Sequence, residues 1–440
     1  MKTIYKIAIV LFILTLHNTI HAQDTLPKIL KIDELFSLAE ANSKKLAISR
    51  EFIGVSHTKT EIAKAARLPE IGFSVTAGYL SSATVLNPNF SYDETIALPH
   101  FSNNYDLEAA QILYKGNAIN NSIAKAKLEE QLSELNFEKD KDAIKMLLLG
   151  RYLDLYGLYN QQKVYKTNIS LAKARLKNIK DMNKEGMVTK NDIIRSELQI
   201  TDLELLVDKV NNNIAIINRE LCVVLGIPVN NTIIVDPTIT ATNVEEDTFA
   251  GYLNRAFTQT PAMRSNSVNE AIAEKNIKLA KADRLPVISL YAKDGMVRPY
   301  IYIMPPLDNY VNLYQAGIKL SYNISSLYHA REHIEMAEQQ HAIQKKQSEL
   351  VREETELEVN ASYIKYQEAK KEFTTRQKSR ELADDNYRIV EKKYLNQLAL
   401  LTDMLDASTS KLTAELNQSN AGISIVYQWY KLQKATGNLN

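Results

Sequence analysis

Two hydrophobic periods alternate along the chain. Over residues 32–66 and 247–283 apolar side chains recur every three or four positions, which predicts a helix in each stretch. Each pattern ends at Arg-Leu-Pro (Arg67, Leu68, Pro69 and Arg284, Leu285, Pro286), where proline cannot continue a helix. The period then drops to two. Ile71, Phe73, Val75, Ala77 and Tyr79 fall on one face, and Gly72, Ser74, Thr76 and Gly78 on the other. The same alternation runs through 105–113, 287–297 and 314–324, so four strands of about ten residues are predicted. Polar stretches at 81–103 and 298–310 join them in pairs.

Long helical patterns follow the second strand of each pair, over 117–183 and 328–396. At 1.5 Å per residue each reaches roughly 100 Å, too long for a globule and suited to a coiled coil or tube. Breaks at 184–191 (KEGMVTKN) and 396–402 (NQLALLT) turn the chain back into return helices ending near 225 and 436. Ile214, Ile217, Leu221 and Val224 keep the rhythm of a coiled-coil seam. The fold class expected is mainly α with a membrane β part.

The plan occurs twice. Residues 63–71 read AKAARLPEI and 280–288 read AKADRLPVI. Farther along, Ile123 and Ala126 recur as Ile334 and Ala337, Asp192 as Asp403, and Leu221 and Gly226 as Leu432 and Gly437. The expected organisation is a first repeat over 23–229 and a second over 230–440, after a leader over 1–22. That leader carries Lys2 and Lys6 before an apolar run too short to span a bilayer, the pattern of a secretory signal.

Four strands with one apolar face cannot close a barrel, and an open edge in lipid leaves backbone groups unpaired. Copies sharing one barrel resolve this, and three give twelve strands with closed symmetry. Two amphipathic hairpins packed on a soluble core remain the alternative, and with them a periplasmic coiled-coil scaffold or adaptor without a pore. Composition narrows partners and chemistry. The 53 basic and 52 acidic residues leave a net charge of +1, so no overall field selects nucleic acid. The one cysteine, Cys222, cannot form an intrachain disulfide, and no phosphate-binding glycine motif occurs. His329-Ala330-Arg331-Glu332-His333 fits a zinc-peptidase pattern, but no third ligand is evident and it reads as solvated helix surface.

Several stretches together resemble the TolC family of outer-membrane efflux proteins over essentially the whole mature chain. They are the duplicated Arg-Leu-Pro helix ends and the strand-to-helix junction Leu113-Tyr114-Lys115-Gly116-Asn117. The break segments from Gly186 to Asp192 and from Leu401 to Ser408 add to these, as do the closing Leu221…Gly226 and Leu432…Gly437. The resemblance implies a homotrimeric conduit without cofactor or enzymatic activity. It implies a twelve-stranded barrel in outer-membrane lipid, an α-helical barrel across the periplasm, and docking to a periplasmic adaptor (a membrane fusion protein) and an inner-membrane transporter.

The resemblance also assigns candidate residues. Asp403 and Asp406 match paired aspartates lining the narrow periplasmic end; three apart on a helix they share a face, and threefold symmetry makes a ring of six carboxylates. Asp403 equally suits a helix N-cap or first-turn acid. Asp192 matches the gate aspartate and Tyr394 the gate tyrosine, while Ala399 stands where other members carry the partner arginine. Lys190, Arg195 and Lys393 are candidate replacements, and Arg195 occupies the repeat position of Asp406. In the barrel, Asp106, Glu108, Lys293 and Lys319 are expected to face the lumen. Tyr79, Tyr105, Tyr310, Tyr314 and Tyr322 suit aromatic girdles at the interfaces, and Tyr152 and Tyr363 suit packing between helices.

Overall fold

The first predicted helix is two helices, α1 (Ile32–Asn42) and α2 (Lys44–Ala65), broken at Ser43. Ser43 takes an extended backbone and its hydroxyl accepts the Leu46 N–H, so a new helix starts there. Thr260 does the same in the second half, accepting the Met263 N–H ahead of Pro261, and separates α5 (Phe249–Gln259) from α6 (Pro261–Ala282). These features belong to a computed structural model that describes residues 28–239 and 246–439. The leader expected over 1–22 lies outside the described residues.

After α2 comes β2 (Glu70–Tyr79), and after α6 comes β7 (Val287–Arg298). Their partners are β5 (Phe101–Lys115) and β8 (Val311–Ser321), and the four form one antiparallel sheet in the order β2-β5-β7-β8. The strands lie within a few residues of their predicted bounds. The connection predicted as a polar loop at 81–103 contains a hairpin, β3 (Ala83–Leu86) with β4 (Tyr92–Ile96), irregular between Val85 and Leu86. A separate parallel pair, β1 (Lys28–Leu30) with β6 (Ile233–Val235), ties the start of the described chain to the segment between the halves.

The junction from sheet to helix is a tight turn. Gly116 and Asn117 both have positive φ, and a Cβ on Gly116 would sit 2.8 Å from Leu285 Cδ1 and 3.0 Å from the Ala282 carbonyl. From it runs α3 (Ala118–Lys184, 67 residues), turning back as α4 (Lys190–Leu225). The second half matches it with α7 (Ser326–Leu395, 70 residues) and α8 (Leu401–Ala435).

The helices stand side by side as a wall that continues the sheet. Next to the sheet the order is α2-α3-α6-α7; beyond it, toward the turns, the order is α4-α3-α8-α7. Where the two levels meet, α1, β1 and β6 cover one face of the wall. Leu35, Phe36, Leu149, Tyr152, Leu221 and Ile233 form the main core there. The Tyr152 hydroxyl donates to the Leu30 carbonyl and accepts the Asp236 N–H, pinning both small strands to α3. Tyr363 packs beside Tyr252, Tyr366 and Trp429 in a second cluster. No described helix is long and apolar enough to cross a bilayer.

Candidate functional site

Strand pairing aligns the two faces of the sheet across all four strands. Ile71, Phe73 and Val75 stand in one row with Ala109, Leu107 and Tyr105; Leu290, Ala292, Ile318 and Leu320 extend that face. This face is uncovered: Ile71 and Phe73 are 68% and 69% exposed, Ile318 and Leu320 70% and 68%. Tyr79, Phe101, Tyr105 and Tyr314 lie on it toward the loop end. The opposite face carries Gly72, Ser74, Thr76 and Gly78 with Asp106, Glu108, Lys293 and Lys319. Lys293 Nζ bridges Asp106 at 3.0 Å and Glu108 at 2.5 Å. The four charged residues expected in the lumen therefore share one face, opposite the exposed apolar one.

Among the described residues both lateral edges of the chain are unpaired. The outer strands of the sheet are β2 and β8, and the outer helices of the wall are α2 and α4 on one side and α7 on the other. Each outer helix bears exposed apolar residues opposite its buried stripe. On α7 these are Met336, Ile343, Leu350, Leu357 and Ile364, at strict seven-residue spacing. On α2 they are Ile48, Phe52, Val55 and Ile62, and on α4 Ile194, Leu198, Leu205, Ile216 and Val223.

The far end of the wall is closed by the two turns, Glu185–Thr189 and Asn396–Leu400, with Met187, Leu398 and Leu400 exposed. Thr189 caps α4: its N–H and hydroxyl both donate to Asp192 Oδ2 at 2.8 Å, and its hydroxyl accepts the Asp192 N–H. In α8 the Leu400 N–H donates to Asp403 Oδ2 at 3.0 Å, so Asp403 is a first-turn acid satisfying an end of the helix. Asp403 also begins an outward stripe at three- and four-residue steps, through Asp406, Ser410, Thr413, Asn417, Asn420 and Ser424 to Tyr427. Its upper members line a groove with Gly157 and Asp154 of α3 on the side of the wall away from α1, β1 and β6.

Tyr394 is 5% exposed in the apolar cluster of Ile179, Tyr387, Leu401 and Met404, with Ala399 packed against it. Its hydroxyl has no hydrogen-bond partner among the described residues. Burial, and then the nearby Asp192 carboxylate, push its pKa up. Lys190, Arg195 and Lys393 form no ion pair among the described residues, and Arg195 and Asp406 are both exposed. The cation at this place is Arg175 of α3, 8% exposed. Its Nη2 donates to Gln199 Oε1 at 2.7 Å, while Nε and Nη1 have no partner among the described residues. Burial lowers its pKa, opposed by Tyr387, Glu391 and Tyr394, and Tyr387 itself is pushed up to about 12 by burial. Arg175 lies in a buried seam with Asn168, Ala172 and Ile179, and an arginine at that seam spacing is its one signal in the sequence. His329, Glu332 and His333 are exposed on the first turns of α7, and no cluster of metal-ligating side chains occurs among the described residues.

Residues 252–438 match the outer membrane efflux protein family. No curated protein sequence matches the chain. Among solved structures it is similar to CusC, with a TM-score of 0.77 at 14% identity over 92% of each chain. It is similar to the outer membrane protein VceC from Vibrio cholerae, with a TM-score of 0.74 at 14% identity over 92% of this chain and 96% of that one. The Campylobacter jejuni CmeC outer membrane channel gives a TM-score of 0.72 at 14% identity, over 93% and 86%. The second half thus matches the outer membrane efflux protein family, and the chain as a whole shares the fold of these solved structures.

Proposed function

We propose that three copies of this chain close into one continuous duct through the outer membrane and across the periplasm, an exit duct for a tripartite efflux pump or a type I secretion system. The carrying observation is that every level of the chain ends in an unpaired edge of the same kind. β8 of one copy is free to pair with β2 of the next, and the apolar stripe of α7 to pack on α2 and α4. Ring closure buries all of these together. Two copies would give eight strands, whose interior side chains just fill. With four charged side chains per copy on the inner face, twelve strands and a watered lumen fit better.

In the closed ring the apolar sheet face meets lipid, with Tyr79, Phe101, Tyr105 and Tyr314 toward one interface. A soluble scaffold would have to cover that face, and none of the described residues does. Asp106, Glu108, Lys293 and Lys319 then line the barrel. Asp403 and Asp406 form a ring of six carboxylates at the periplasmic mouth, with Asp192, Tyr394 and Arg195 about the constriction. The exposed turns present Met187, Leu398 and Leu400 to a periplasmic adaptor and, through it, an inner-membrane transporter. Transport through such a duct is passive, its energy supplied by those partners. Conductance across planar bilayers tests this reading: the purified protein is expected to insert and give discrete current steps, and a preparation that never conducts would refute it.

A further inference from the structure

We propose that the wall carries a binding site for amphipathic organic cations, built from α3, α4 and α8 on the face turned away from α1, β1 and β6. The inference rests on the duct reading, which makes this face the lumen. It names the solutes that would pause there.

The site is a groove of about 790 Å³, within the range that holds drug-sized molecules. Its depth comes from two glycines seven apart on the middle helix, Gly150 and Gly157. A Cβ on Gly157 would lie 3.2 Å from Ile423 Cδ1, and one on Gly150 4.0 Å from the Tyr427 ring. The missing side chains leave a trough over α3 between α4 and α8. Leu158, Ile217 and Ile423 give it an apolar floor, and Tyr427 is 38% exposed at its side. The stripe of α8 toward the turns offers only hydroxyls and amides, from Ser410 to Ser424. The groove is therefore more apolar than the α8 stripe that runs from it toward the turns.

Its charge selects the sign of the solute. Arg151 stands between two carboxylates, Nη1 3.7 Å from Asp154 and Nε 3.4 Å from Glu220. The other lining side chains are neutral, so one negative charge remains. An organic cation finds that charge, an apolar floor and an aromatic face together. An anion of the same shape meets two carboxylates.

The test uses a pair of probes alike in size and shape and opposite in charge, tetraphenylphosphonium and tetraphenylborate, with the purified oligomer in lipid-free amphipol. Saturable phosphonium binding at one site per chain is expected by equilibrium dialysis, with the borate bound about tenfold more weakly or worse. Neutralising the rim with Asp154→Asn plus Glu220→Gln, or filling the trough with Gly157→Leu, is expected to weaken phosphonium binding about tenfold. The rim variant changes no packing volume, so it stands if the leucine variant fails to assemble. Equal binding of the two probes, or unchanged binding in the rim variant, overturns the site. Conductance of the same preparation separates the two ideas: a protein that conducts but does not bind loses only the groove, and one that never conducts loses the duct.

Discussion

Replacing Tyr394 by phenylalanine removes one oxygen atom and nothing else, and the structure fixes what that does. The hydroxyl is buried without a partner among the described residues, while Asp192 Oδ2 accepts the N–H and hydroxyl of Thr189. A buried hydroxyl left unpaired costs roughly 1–3 kcal/mol. Phenylalanine keeps the packing against Ile179, Leu401 and Met404. Tyr394→Phe is therefore expected to stabilise the end of the wall by about 1 kcal/mol, at the low end because local adjustment recovers part of the penalty. Amide hydrogen exchange reads this directly: protection in the last turns of α7 and across 396–400 should rise by about fivefold. Basal conductance should not increase. Faster exchange together with higher conductance would show that the hydroxyl holds Asp192 or Arg175 as a latch, and would refute the reasoning.

Two other substitutions probe separate parts of the account. Asp403→Asn plus Asp406→Asn removes six carboxylates from the proposed ring, so cation over anion selectivity in bilayer recordings should fall; unchanged reversal potentials would remove these residues from the permeation path. Asp142 is held up at about 6 by burial, outweighing Lys141, Lys145 and Lys434. A carboxyl raised on folding contributes most below its unfolded value and loses that contribution as pH rises through the folded one, here from about 4 to about 6. Asp142→Asn should accordingly raise the thermal midpoint at pH 7 and leave it unchanged at pH 4, and an equal shift at both pH values would contradict the assignment.

What could be read in the sequence divides along the range of the interactions. Alternation from Ile71 to Tyr79 and the long 3.6-residue patterns are local, and they located the sheet and the wall helices to within a few residues. Ser43 and Thr260 are also local signals, a capping side chain in each case and Pro261 after the second, yet the apolar periodicity on either side masks the break. The hairpin Ala83–Leu86 with Tyr92–Ile96 is short and bulged, which blurs a period of two. Arg175 was out of reach for a different reason. By position Ala399 points to Lys190, Arg195 and Lys393 near the turns, whereas the cation beside Tyr394 comes from α3, brought there only by packing of the first hairpin on the second. The free edges were legible only in part: four strands demanded partners, but the exposed stripes on α2, α4 and α7 emerge once the buried faces are known.

The central claim is that these edges close a ring of three, and native mass spectrometry of the protein extracted in detergent tests it most directly. The account predicts one dominant species of three chains, which dissociates when charged residues replace Ile343 and Leu350 on the α7 stripe. A monomer in native detergent, or a stable ring of two or four, would contradict it.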